Sequence, residues 1–169
     1  DRERPPVAVT GVTAWAITDL LEMYRRDHEI EFTVLALSTV YGPRQSQDNN
    51  VVSSFCWAFR RGQQPTIHGD GRQTRDLLYV DDAADAIVRS LNKGGGLLLH
   101  IGTGEQTSIN DLWEAIGGGL PTQSEPRARH DLTRQALSSS RARLHLGWSP
   151  WTTLKDGLSQ TLISISTAG

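Results

Sequence analysis

Leu37-Ser38-Thr39-Val40-Tyr41-Gly42-Pro43-Arg44-Gln45 and Gly69-Asp70-Gly71-Arg72-Gln73-Thr74-Arg75-Asp76-Leu77-Leu78-Tyr79-Val80-Asp81-Asp82-Ala83-Ala84-Asp85-Ala86 decide how this chain is read. The first block closes a short apolar run, residues 32–38, that has the look of a buried parallel strand. Gly42-Pro43 ends it, because proline cannot continue a ladder and glycine accepts a turn. The second block opens on a tight turn at Asp70-Gly71, passes through a short strand at 77–80, and offers Asp81 or Asp82 as the cap of a helix running to about Leu91.

The same pattern extends in both directions. Residues 12–27 carry Ile17, Leu20, Leu21 and Tyr24 at helical offsets. These four form either an intramolecular core stripe, the reading favoured here, or a contact stripe for a partner. Residues 51–61 predict a helix closed by Gly62, and residues 66–68 a short strand. Residues 97–101 read as a second buried strand, followed by Gly102-Thr103-Gly104. Ser108 is suited to cap a helix over 109–116, with Asp111 three residues on. Residues 117–135 read as irregular, 139–145 as a short helix stopped at Gly147, and Thr153 as the cap of a last helix reaching about Ile165. Strands alternating with helices define the α/β class. Only two good parallel-type strands appear, and two make a poor sheet. The edge where further strands would pair is expected to be covered, by self-association or by a rearrangement of the first forty residues.

Composition narrows the function. The 169 residues suit one domain, residues 1–169, and a chain of this size buries roughly 70% of its unfolded surface. Net charge is −2, so nothing marks a nucleic-acid or anionic-membrane surface. The arginines at Arg25/Arg26, Arg60/Arg61 and Arg141/Arg143 read as solvated helix faces. The single cysteine, Cys56, lies in an apolar run and reads as core; no internal disulfide can form. No stretch approaches the ~20 apolar residues of a membrane span, and the charged start is no signal peptide. A cytoplasmic location is the default expectation. The chain lacks an initiator methionine and reads as a processed or trimmed segment. His68, His100 and His130 have no partners at metal-ligand spacing.

Taken together, the two opening blocks, His100-Ile101-Gly102-Thr103-Gly104 with Thr107-Ser108-Ile109-Asn110-Asp111-Leu112, and Leu146-Gly147-Trp148-Ser149-Pro150 resemble the NAD-dependent epimerase/dehydratase family, the extended short-chain dehydrogenases that rework nucleotide sugars. Four blocks in the right order carry the resemblance. It implies the C-terminal portion of that fold: part of a Rossmann-type sheet plus the small substrate-binding α/β subdomain. The N-terminal NAD-binding half is expected to be absent, since the family's Gly-x-x-Gly-x-x-Gly turn is not among these residues. No cofactor is therefore expected for this chain alone, although the family uses NAD.

The family's catalytic helix opens Pro-Tyr-Gly-Val-Ser/Thr-Lys. The matching stretch here is Val9-Thr10-Gly11-Val12-Thr13-Ala14, so Thr10 and Ala14 stand at the tyrosine and lysine positions. An aliphatic hydroxyl cannot replace a phenol in proton transfer, and alanine cannot tune a pKa. No catalytic residue is expected. The resemblance implies a nucleotide-sugar site instead: Thr39 at the sugar or phosphate, Asn50 and Val51 at the pyrophosphate, Thr66, Ile67 and His68 along the base, and Arg75 on a phosphate. An ion pair with Asp76 or Asp81 is the structural alternative for Arg75. Asp131 is the nearest match to a ribose-binding aspartate, but neither Arg127 nor Arg129 stands three residues before it, where Ala128 falls. Arg44 points at a ligand or at water. The implied partners are a nucleoside-diphosphate sugar and a second copy or an intact homologue. The family dimerises through a four-helix bundle that includes the 12–27 helix.

Overall fold

The structure is a computed structural model that describes residues 9–47, 50–126 and 133–167. The chain runs α1 (Val9–His28), β1 (Thr33–Leu37), β2 (Thr39–Tyr41), α2 (Val51–Arg61), β3 (Thr66–His68), β4 (Thr74–Arg75), β5 (Leu77–Tyr79) and α3 (Val80–Ser90). It continues through β6 (Leu97–Ile101), β7 (Thr107–Ser108), α4 (Ile109–Ile116), β8 (Gln123–Glu125), α5 (Ser140–Leu146) and α6 (Leu154–Thr167). The α/β class expected from the sequence is the one observed.

The strand expected over 32–38 forms as β1, and a separate strand, β2, follows after one residue. Ser38 N–H donates to Ile101 O at 2.9 Å, and Thr39 N–H donates to Asp76 O at 3.0 Å. At that step the chain exchanges one partner for another. β1 lies parallel to β6, Thr33 opposite Leu97 and Leu37 opposite Ile101. β2 lies parallel to β5, Thr39 opposite Leu77. Two further pairs are parallel β3–β8 and antiparallel β4–β7. β8 corrects the irregular reading of 117–135. Its three residues are all exposed, so no apolar alternation marked them.

β2 and β5 form a wall between two cores, because successive strand side chains point to opposite faces. Leu77, Tyr79 and Tyr41 enter one core with Phe55, Leu112 and Trp113; Leu78 enters the other with Leu99, Leu146 and Trp148. Phe55 meets Trp113 edge-on, ring centroids 5.5 Å apart. The indole N–H of Trp148 donates to Asp82 O at 2.9 Å, so a fully buried tryptophan leaves no polar atom unpaired.

Helix ends follow local chemistry. Gly62 closes α2 in the left-handed conformation (φ 63°). Ser108 caps α4 by accepting from Asp111 N–H at 3.0 Å. Thr153 accepts from Asp156 N–H at 3.1 Å at the start of α6. α3 departs from expectation: its cap residue is Tyr79, with no side-chain cap, and Asp82 turns inward to hold Thr152.

α1 corrects a second expectation. Ile17, Leu20 and Tyr24 are 52%, 51% and 45% exposed, so they are not an intramolecular core. The half-buried positions are Gly11, Trp15, Thr18, Leu21 and Arg25, a neighbouring face that shares only Leu21 with the expected stripe. β1 pairs with one strand only, and α1 stays helical, so the first forty residues do not rearrange to extend the sheet among the described residues.

Cys56 is buried in the first core, and burial pushes its thiol up to about 12. The thiolate is the reacting species. Labelling with a thiol reagent at pH 8 should be slow in the native protein and complete within the mixing time in denaturant. Rapid native labelling would contradict the packing described.

Candidate functional site

A cavity of about 740 Å³ opens beside the start of α2, between β2, β3, β4 and β8. Thr39 reaches it from β2, Asn50 and Val51 from the first turn of α2, Thr66, Ile67 and His68 from β3, and Arg75 from β4. The structure thus gathers seven of the eight residues singled out from sequence. Asp131, with Arg127 and Arg129, lies outside the described residues. Four lining residues were missed: Gln73, Ile109, Glu125 and Pro126. Gln73 was within reach, since it is two residues from Arg75 in extended chain and shares its face. Glu125 and Pro126 were not, because only the β3–β8 pairing brings them there.

The helix end at this cavity is built by Asn50. Its Oδ1 accepts from the N–H groups of Val52 (2.9 Å) and Ser53 (3.2 Å), its Nδ2 donates to Val40 O (2.8 Å), and its own N–H donates to Ser53 Oγ (3.2 Å). Both ends of the Asn50 amide are therefore structural, joining α2 to β2. Of the first-turn amides, these bonds leave the Val51 N–H to face an anion.

Gln73 is 5% exposed. Its Nε2 donates to His68 O at 2.7 Å, which fixes the amide, while its Oε1 is buried without a hydrogen-bond partner. An unpaired buried acceptor costs about 1–3 kcal/mol, so this atom is set for a donor that the described residues do not supply. Across the β3–β8 register His68 Nδ1 stands 3.7 Å from Glu125 Oε2.

Arg75 lines the cavity with Nη1 donating to Thr74 O at 2.8 Å. The neighbouring Asp76 is fully buried, and its carboxylate serves a different purpose. It accepts from Thr103 N–H (2.9 Å), Thr103 Oγ (2.8 Å), Gly104 N–H (3.0 Å) and Leu137 N–H (2.9 Å). A Cβ added to Gly102 would lie 2.6 Å from Asp76 Oδ2, so glycine is required for this approach. The Gly102-Thr103-Gly104 turn is an anion cradle whose anion is the protein's own carboxylate.

Tyr41 and Tyr79 are the aromatic hydroxyls beside these strands. Burial, reinforced by nearby charges, raises both, and Tyr41 also donates to Leu154 O at 3.4 Å. Neither is poised for proton transfer near neutrality. Ala14 is exposed on α1, and Thr10 lies in that helix's first turn. No group of His, Cys, Asp and Glu among the described residues is arranged to hold a metal ion. No helix among them is long and apolar enough to cross a membrane.

This fold and cavity belong to a known class. The model of the NAD-dependent epimerase/dehydratase family matches residues 6–102, and the chain belongs to that family. It is 39% identical over 149 residues to the UDP-glucose 4-epimerase of Mycolicibacterium smegmatis, covering 84% of this chain and 48% of that protein. Among solved structures it resembles UDP-glucose 4-epimerase from Thermotoga maritima with UDP-glucose, at 32% identity and TM-score 0.90, over 94% of this chain and 53% of that one. It also resembles UDP-glucuronic acid 4-epimerase from Bacillus cereus in complex with UDP-glucuronic acid and NAD, at 30% identity and TM-score 0.88, over 98% of this chain and 55% of that one. The chain spans about half the length of the curated relatives it matches.

The Asp76 cradle sets a graded expectation for stability. Thr103→Val removes one hydroxyl donor and should cost about 1–2 kcal/mol in urea denaturation. Asp76→Ala strands three main-chain N–H groups and should cost at least about 3 kcal/mol. Equal losses would mean that the carboxylate is not the centre of this network.

Proposed function

We propose that the 740 Å³ cavity binds a nucleoside-diphosphate sugar, and that this chain contributes the substrate side of the family's chemistry without the family's tyrosine–lysine pair. The observation that carries this reading is the convergence, on one cavity, of an arginine, a free helix-start amide and a buried acceptor lacking a donor. Arg75 and Val51 N–H suit a diphosphate. Gln73 Oε1 suits a hydroxyl or a ring N–H. The edge of β3 offers main-chain groups to a flat base, with Thr39 toward the sugar. The relatives solved with UDP-glucose and UDP-glucuronic acid support the ligand class.

Thr10 and Ala14 stand where the family places its proton-transferring tyrosine and its lysine, which supports a chain that does not carry out the family's proton transfer alone. The Gly102-Thr103-Gly104 turn is occupied by Asp76, which supports the reading that these residues form no dinucleotide site. The exposed apolar face of α1 supports a second copy or an intact homologue as partner.

Thermal melting in the presence of UDP-glucose or NAD, each added alone, tests the proposal. At a hundred times Kd a ligand stabilises by about 2.7 kcal/mol. The expected result is an upward shift with UDP-glucose and none with NAD. A shift with NAD alone would overturn the assignment. Arg75→Ala should weaken UDP binding by about tenfold to a hundredfold in calorimetry, while leaving uridine binding nearly unchanged.

A further inference from the structure

Among the described residues that line the principal cavity, Gln73 is the one with a buried polar side-chain atom left unpaired. The strand edge beside it indicates what that atom serves. β3 is paired on one edge only among the described residues. Gln123 N–H donates to Pro65 O at 2.9 Å, and Gly69 N–H donates to Glu125 O at 2.8 Å, so the odd-numbered residues of this segment serve β8. Alternate residues of a strand turn their main-chain groups to opposite edges. Thr66 and His68 therefore face the other edge. Gln73 stops that edge, with Nε2 donating to His68 O at 2.7 Å. A carbonyl can only accept, so the amide nitrogen is the atom at His68 and Oε1 is turned away from it. The main chain behind this amide is held as well. Gln73 O accepts from Ile109 N–H at 3.1 Å, and Thr74 N–H donates to Thr133 O at 3.0 Å. The acceptor is thus fixed in place before any ligand arrives.

Arg75 follows two residues later and lines the same cavity. The wall therefore runs from the open edge of β3, through the Gln73 acceptor, to a guanidinium. A nucleoside diphosphate has the same order in its covalent structure: flat base, ribose, phosphates. Ionised phosphates have no hydrogen to donate to Gln73, and they suit Arg75. A base lying on β3 meets the main-chain groups of Thr66 and His68, which supply both a carbonyl and an N–H. The ribose stands between them, and its hydroxyls are donors. We propose that Gln73 Oε1 accepts a ribose hydroxyl of the bound nucleotide, so that the cavity reads the pentose as well as the charge. This assignment rests on the nucleoside-diphosphate reading of the cavity. A site built around a buried acceptor rejects the analogue that lacks the matching hydroxyl, because the acceptor is then left unpaired.

The test is calorimetric titration of the chain with UDP, 2′-deoxy-UDP and 3′-deoxy-UDP. At least one deoxy analogue should bind about tenfold more weakly than UDP. Gln73→Met is close in volume and lacks the acceptor. It should weaken UDP by a similar factor and leave the already weakened analogue unchanged. Gln73→Glu keeps an acceptor and should retain the difference between UDP and that analogue. Melting temperatures check that both variants fold, and the comparison of the three nucleotides on the unaltered chain needs no variant. UDP binding with both analogues bound as tightly would overturn this assignment and leave the cavity reading standing. Equal weakening of all three nucleotides in Gln73→Met would mean that Gln73 only supports the wall, and would also overturn it. No binding of UDP at all would overturn the cavity reading, and this assignment with it.

Discussion

The buried carboxylate of Asp76 is the constraint on which the arrangement depends. It follows directly on Arg75 and precedes the strand that divides the two cores, and it gathers main-chain donors from the loop after β6 and from Leu137. Its own carbonyl accepts from Thr39 N–H, the bond at which β1 gives way to β2. One residue therefore joins the strand switch, the glycine turn and the segment leading to α5. A charge this deep is tolerated only when every lone pair is engaged, since an ion removed from water without partners costs several kcal/mol. The engagement also fixes where Arg75 can stand.

Asp82 repeats the device on the other side of β5. Its carboxylate holds Thr152, and its carbonyl takes the Trp148 indole. The two aspartates pin the loops that follow β6 and α5 to the strand wall, and they orient hydroxyl protons away from the surface. The principal cavity shows the same logic: Asn50 commits its side chain to α2 and β2, and the amide left over is the one that faces the opening.

Much of this was legible in the sequence, for identifiable reasons. Gly62, Ser108, Gly147 and Thr153 behave as expected because caps are local: a left-handed glycine or a hydroxyl three residues from an amide needs no tertiary partner. Asp82 was misread as a cap because the same side chain can serve Thr152, seventy residues away, and burial makes that bond the stronger one. α1 was misread because helical spacing reports that an apolar stripe exists and is silent on which surface covers it. β8 was missed because all of its side chains are exposed and its strand character comes from pairing with β3.

The sequence by itself determined the α/β class, the family and seven residues of the principal cavity, because ordered motifs and short-range spacing encode backbone turns and functional groups directly. Tertiary structure alone decided the rest. Gln73, fixed by His68 O, became a buried acceptor, and Glu125 arrived across the β3–β8 pairing. Asp76 made the Gly102-Thr103-Gly104 turn the holder of an internal carboxylate. These outcomes depend on which donors are already engaged, and hydrogen bonds between residues distant in the chain are set by packing, not by local spacing.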